Sequence, residues 1–162
     1  MRWHLSHRHD PRALPLANRH YNRQTPDAPQ FVPPGRCLVL LTEDATALWV
    51  TSWQEFTMHD WPGAWVNCLF RNERPDLHLS SDLIREAIAA TRWHFGPPPQ
   101  LGMITFVDPE KTRRKRDPGR CYRRAGFSVA GETKGGLVAL QLLPAGMPSP
   151  CAARGTQLRL VG

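Results

Sequence analysis

SSDLIREAIAATRWHFGPPPQLGMITFV, residues 80–107, decides the class of fold. Leu83, Ile84, Ala87, Ile88, Thr91 and Phe95 recur on one side of a helical period, which predicts an amphipathic helix over Ser80–Phe95. Ser80 or Ser81 is expected to cap it, and Asp82 suits its first turn. Gly96-Pro97-Pro98-Pro99 stops it. The apolar run Leu101–Val107 then reads as a strand, and so does Ala64–Phe70, AWVNCLF, upstream. A helix crossing between two strands makes them a parallel pair.

Outward from this unit, Arg36–Thr42 and Ala47–Trp53 are two strand-like runs joined by the polar turn Glu43-Asp44-Ala45-Thr46, a hairpin signal. Downstream, Tyr122–Ala125 predicts a short helix stopped by Gly126. Phe127–Gly131 and Leu137–Leu143 predict a terminal hairpin turning at Lys134-Gly135-Gly136. Leu16–Tyr21 suggests a helical turn. Residues 1–15, polar and broken by Pro11 and Pro15, read as a loose lead-in, and residues 145–162 as a loose tail. The expectation is one α/β domain over residues 1–162, an α+β mixed sheet with one parallel crossover. Its order is β-β-β-α-β-α-β-β.

The chain of 162 residues is long enough for a real core. Its net charge of +7 favours phosphate-rich partners. The positive charge is mostly arginine, with lysine only at Lys111, Lys115 and Lys134. Arginine suits bidentate phosphate contacts, although a GC-rich genome gives the same bias. Cys37, Cys68, Cys121 and Cys151 are far apart, a poor pattern for zinc or for disulfides. No apolar run reaches membrane-spanning length, and the N-terminus lacks the apolar core of a secretory signal. The reading is a cytoplasmic protein with no membrane partner.

Several residues fall where chemistry is placed in such sheets. Asp108 ends the strand Leu101–Val107, where a carboxylate can orient or deprotonate an amine, or can simply start a turn before Pro109. Asn72 and Glu73 leave the neighbouring parallel strand at the same sheet end. An Asn72 amide suits a base edge. Ser80 and Ser81 suit an anion at a helix start, or a plain cap. Tyr122 reads as a proton donor or as a core aromatic. Arg113, Arg114, Lys115 and Arg116 form a basic run beside the strand-end acid, extended by Arg120, Arg123 and Arg124. That patch suits DNA phosphates. Trp53 and Trp61, in or beside a loop, suit stacking on an extruded base.

The order of elements, with Cys121-Tyr122-Arg123-Arg124-Ala125-Gly126-Phe127 before the last hairpin, resembles the GNAT acyltransferase superfamily over residues 36–143. The resemblance implies a parallel pair splayed at the active site. GNAT enzymes cradle the pyrophosphate of acyl-CoA in a glycine-bearing loop after the central strand. The corresponding loop, Arg71 to Ser81, has no glycine. A narrower similarity is to the Mom-type DNA modification proteins of phages, a divergent GNAT branch. It rests on His20-Tyr21-Asn22-Arg23, Asn72-Glu73, Ser80-Ser81, Asp108 with Gly119, and Tyr122 through Phe127.

That similarity implies a transferase that modifies the exocyclic amine of adenine in DNA, with a carbamoylmethyl-type product and an anti-restriction role. It implies Asp108, Tyr122, Asn72, His20 and Tyr21 as catalytic residues. Ser80, Ser81 and Arg71 would face a small-molecule group donor, an acyl-CoA or another. Iron is an implied cofactor, with His20, Tyr21 and Asp108 as its candidate ligands. The rival readings are a conventional CoA-dependent N-acetyltransferase of a small amine or protein, and a non-catalytic DNA-binding protein.

Overall fold

The computed structural model describes residues 1–20, 28–55, 57–111 and 117–157. The chain runs β1 (Trp3–Leu5), α1 (Leu14–Asn18), β2 (Arg36–Thr42), β3 (Ala47–Trp53), β4 (Trp65–Asn72) and α2 (Ser80–Phe95). It continues with β5 (Met103–Val107), α3 (Arg120–Arg124), β6 (Ser128–Glu132) and β7 (Val138–Leu142), then a 3₁₀ turn at Pro144–Gly146. The strands form one mixed sheet in the order β1-β2-β3-β4-β5-β7-β6. The pair β4–β5 is parallel, as the helix between them requires, and the other pairs are antiparallel. No helix among the described residues is long and apolar enough to cross a membrane.

The helix α2 forms where its period predicts. Leu83, Ile84, Ala87 and Ile88 are fully buried against Trp49, Trp65, Met103 and Leu140 of the sheet. Gly96 ends it at φ 88°, with its N–H on the Arg92 carbonyl. The expected serine cap is not made. The helix starts at Ser80 itself, with Leu79 in the cap position and no side-chain cap bond, so both serines already lie inside the first turn. On the other face of the sheet, Ala13, Leu16 and Ala17 pack against Val39, Leu41, Leu48, Val50 and Leu69.

Both expected loose ends are corrected as far as residue 157, and residues 158–162 of the expected tail lie outside the described residues. Trp3 is fully buried and its Nε1–H donates to the Leu83 carbonyl at 2.8 Å. That indole outweighs its polar neighbours and draws residues 3–5 onto the edge of β2 as a seventh strand. Within the same lead-in, Asp10 is buried and accepts from Ser6 Oγ and from the Arg12 N–H. Arg154 makes an isolated bridge to β1: Leu5 N–H donates to the Arg154 carbonyl and Arg154 N–H to the Trp3 carbonyl. Cys151 N–H also reaches the Ala89 carbonyl on α2. The α1 helix covers Leu14–Asn18, earlier than the predicted Leu16–Tyr21.

Trp3→Ala is expected to cost about 3–5 kcal/mol, the range for deleting a buried aromatic. Urea unfolding measures it. A loss below about 1 kcal/mol would place the segment outside the core.

Candidate functional site

The strands β4 and β5 pair only from Trp65 to Asn67, opposite Met103 to Thr105. Beyond Asn67, β4 runs on to Asn72 with no strand on its β5 side. The opening is a cleft of about 480 Å³ whose lining includes Asn67, Cys68, Phe70, Thr105, Gly119 and Tyr122.

Asn67 sits at the fork and is buried. Opposite it, the register with β3 slips: Val50 pairs with Leu69 and Thr51 with Asn67, leaving Cys68 as a bulge. Bulges re-aim side chains and end pairing. The Asn67 amide satisfies the disturbed backbone. Its Nδ2 donates to the carbonyls of Val50 at 3.0 Å and Leu69 at 2.9 Å. Its Oδ1 accepts the Tyr122 hydroxyl at 2.6 Å. Thr105 Oγ1 donates to the Asn67 carbonyl at 3.1 Å, across the last rung of the parallel ladder.

Tyr122 reaches this point from α3. Its ring meets Phe70 and Phe127 edge-on, with centroids 6.1 and 5.4 Å away. Gly119 starts α3 at φ 80°, and a Cβ there would come within 2.9 Å of Leu140 Cδ1. Only glycine fits, which fixes where α3 begins. Arg85 donates to the Ala125 carbonyl at 2.8 Å and ties the end of α3 to α2. Burial pushes the Cys68 thiol up to about 12, so it stays protonated in the cleft wall.

At the mouth, Arg19 closes on Glu73 through Nε at 2.7 Å and Nη2 at 2.6 Å. Arg71 adds Nε to Glu73 at 2.8 Å, and its Nη1 donates to the Arg19 carbonyl at 2.8 Å. Arg19 first, then Arg71 against the opposing pull of burial, hold the Glu73 carboxyl down to about 2.

Of the expected site residues, His20, Arg71, Asn72, Ser80 and Tyr122 line this one cleft. Asn72 is already engaged: its Nδ2 spans the His78 carbonyl and Ser80 Oγ, and its Oδ1 accepts from Arg74 N–H. It closes the turn that leads into α2. Ser81 is buried and is not part of the lining. Asp108 is also absent from the lining. Its Oδ1 accepts from the N–H groups of Glu110 and Lys111, a turn that carries Lys111 to the cleft wall. Arg123 is paired to Asp117, while Arg120 and Arg124 are exposed on α3. Trp53 is half-buried, packed edge-on against Trp65 and Phe95, and Trp61 packs against Phe106. Neither Trp53 nor Trp61 is in the cleft lining. Tyr21, Arg113, Arg114, Lys115 and Arg116 lie outside the described residues.

Among the described residues, no group of three or more His, Cys, Asp or Glu side chains is placed to hold a metal ion. Of the implied iron ligands, His20 lines the cleft and Asp108 does not. Tyr21 lies outside the described residues, which by themselves assemble no iron ligand set. Sequence reasoning passed over Asn67, Thr105, Arg19 and Lys111. The available signal was Asn67 itself, a polar residue in the middle of AWVNCLF that must find partners once buried.

Two measurements follow from this geometry. Asn67→Ala removes a hydrogen-bond partner from two carbonyls and a phenol, and is expected to cost about 2–4 kcal/mol, against about 1 for Tyr122→Phe. Urea unfolding of both variants checks the order. The second concerns pH. Glu73 sits near 2 when folded against an ordinary 4.5, so the folded chain takes up this proton less readily than the unfolded one. The stability it contributes is complete above pH 4.5 and is lost as pH falls toward 2. Glu73→Gln should flatten that part of an acid-unfolding profile. An unchanged profile would show that the pairing has no energetic consequence.

No family model matches the chain, and neither a curated protein nor a solved structure matches it.

Proposed function

We propose that this protein is a group-transfer enzyme of the Mom type, acting on the exocyclic amine of adenine in DNA. The donor group would lie in the fork between β4 and β5, with Tyr122 at its floor. The observation that carries this reading is the Tyr122–Asn67 pair at the open end of a splayed parallel pair, below a mouth lined by Arg19, Arg71 and Lys111. Sheets of this kind place their ligands in the crevice at the carboxyl ends of the strands.

The chemistry needed is a balanced exchange. The amine nitrogen forms a bond to the transferred group as the bond from that group to its leaving atom breaks. One proton leaves the amine and one reaches the leaving atom. Tyr122 can relay both once its O–H turns from Asn67 Oδ1 toward the leaving atom, giving its proton there and recovering one from the amine. Asn67 holds the phenol in place between the two. An adenine must leave the helical stack to reach this depth, and the basic surface offsets part of that cost through backbone contacts.

The glycine-bearing cradle that GNAT enzymes use for CoA pyrophosphate is not reproduced at the start of α2. Asn72 and Ser80 fill that turn with their own hydrogen bond. The donor is therefore assigned to the fork and not to that loop. Arg120 and Arg124, exposed on α3, remain proposed DNA contacts, together with the run Arg113–Arg116.

Nucleoside mass spectrometry of DNA from expressing cells, supplied with the metabolites of a phage-infected host, tests the reading. A modified deoxyadenosine is expected, reduced about a hundredfold by Tyr122→Phe with DNA binding retained. Unmodified nucleosides together with tight one-to-one binding of acetyl-CoA would transfer support to a conventional N-acetyltransferase.

A further inference from the structure

We infer that Arg19 and Arg71 form a phosphate-binding site at the mouth of the cleft, and that Glu73 competes with the phosphate for their guanidinium groups. The inference rests on the transfer reading in one respect, that the cleft receives a phosphate-bearing ligand.

Three observations carry it. First, both arginines line the cleft, whereas Glu73 does not. Second, the carboxylate is shared. Glu73 takes Nε and Nη2 of Arg19 and Nε of Arg71, so one negative charge answers two guanidinium groups. Arg19 Nη1 and Arg71 Nη2 donate to none of the described residues, and Lys111 adds a third cation to the lining. A phosphate offers the same pair of oxygens to a guanidinium fork as a carboxylate does; a backbone diester matches its single charge, and a terminal phosphate adds one oxygen and up to one charge more. Third, Glu73 can yield without disturbing the fold. Its backbone N–H is fixed to the Thr46 carbonyl at 2.9 Å, so only its side chain need turn aside.

The mouth is also mechanically set. Arg71 Nη1 on the Arg19 carbonyl ties the end of α1 to the end of β4. The Arg71 guanidinium is thus placed beside the Arg19 backbone before any ligand arrives. The ligand is a phosphate group, carried either by a nucleic-acid backbone or by a small nucleotide-type donor.

Calorimetric titration of the whole chain with inorganic pyrophosphate, and separately with a short adenine-containing oligonucleotide, tests the assignment. Wild type, Arg19→Gln and Glu73→Gln are compared, with folding checked by circular dichroism. Arg19→Gln is expected to weaken at least one probe about tenfold, and Glu73→Gln to tighten the same probe several-fold, about threefold or more. A loss confined to pyrophosphate identifies a donor phosphate, and a loss confined to the oligonucleotide identifies a backbone phosphate. If folded Arg19→Gln binds both probes as wild type does, the site is overturned. If Glu73→Gln leaves affinity unchanged or lowers it, the competing role of Glu73 is overturned. Base modification that persists in either case would leave the transfer reading intact, so the two failures are distinguishable.

Discussion

The side-chain amide of Asn67 is the contact on which the site depends. Two carbonyls, of Val50 and Leu69, lose regular ladder geometry at the Cys68 bulge, and one amide nitrogen serves both. The oxygen of the same amide receives Tyr122. An apolar residue there would take this partner from all three groups inside the sheet, a large cost in a low-dielectric setting. The amide thus fixes the bulge, ends the β4–β5 ladder after three residue pairs and anchors α3 across the gap. The cleft is a consequence of that local accounting, not of a missing piece of sheet.

Around this fork, the rest of the chain acts as scaffold. The α2 helix buries its apolar face under β1 to β5 and holds α3 through Arg85. Trp3 and the segment at Arg154 close the far edge. At the mouth, three charged side chains, Arg19 just after α1, Arg71 on β4 and Glu73 just after it, join into one unit.

The elements with strong local signals were legible in the sequence. The period of Ser80–Phe95, stopped by Gly96 and three prolines, matches α2 residue for residue, and the hairpin Arg36–Thr42 with Ala47–Trp53 matches β2 and β3. What was not legible depended on distance. Trp3 looks like one aromatic in a polar lead-in, and only its meeting with Leu83, far along the chain, makes it core. Asn72 and Asp108 stand where their strand-end positions suggested, yet nearby backbone groups claim part of their hydrogen-bonding capacity. Asn67, in contrast, sits inside an apolar run, where periodicity treats it as noise. A buried amide with no visible partner in sequence is a signal that long-range partners exist.

The most direct test of the account is amide hydrogen exchange with and without a bound adenine-containing oligonucleotide. Beyond Asn67, β4 has no strand on its β5 side, so a ligand seated in the fork must cover that edge. The account predicts slowed exchange over residues 67–72 and 119–122, with little change in β1 and in the segment near Arg154. Slowed exchange confined to that far edge, with residues 67–72 unaffected, would contradict it.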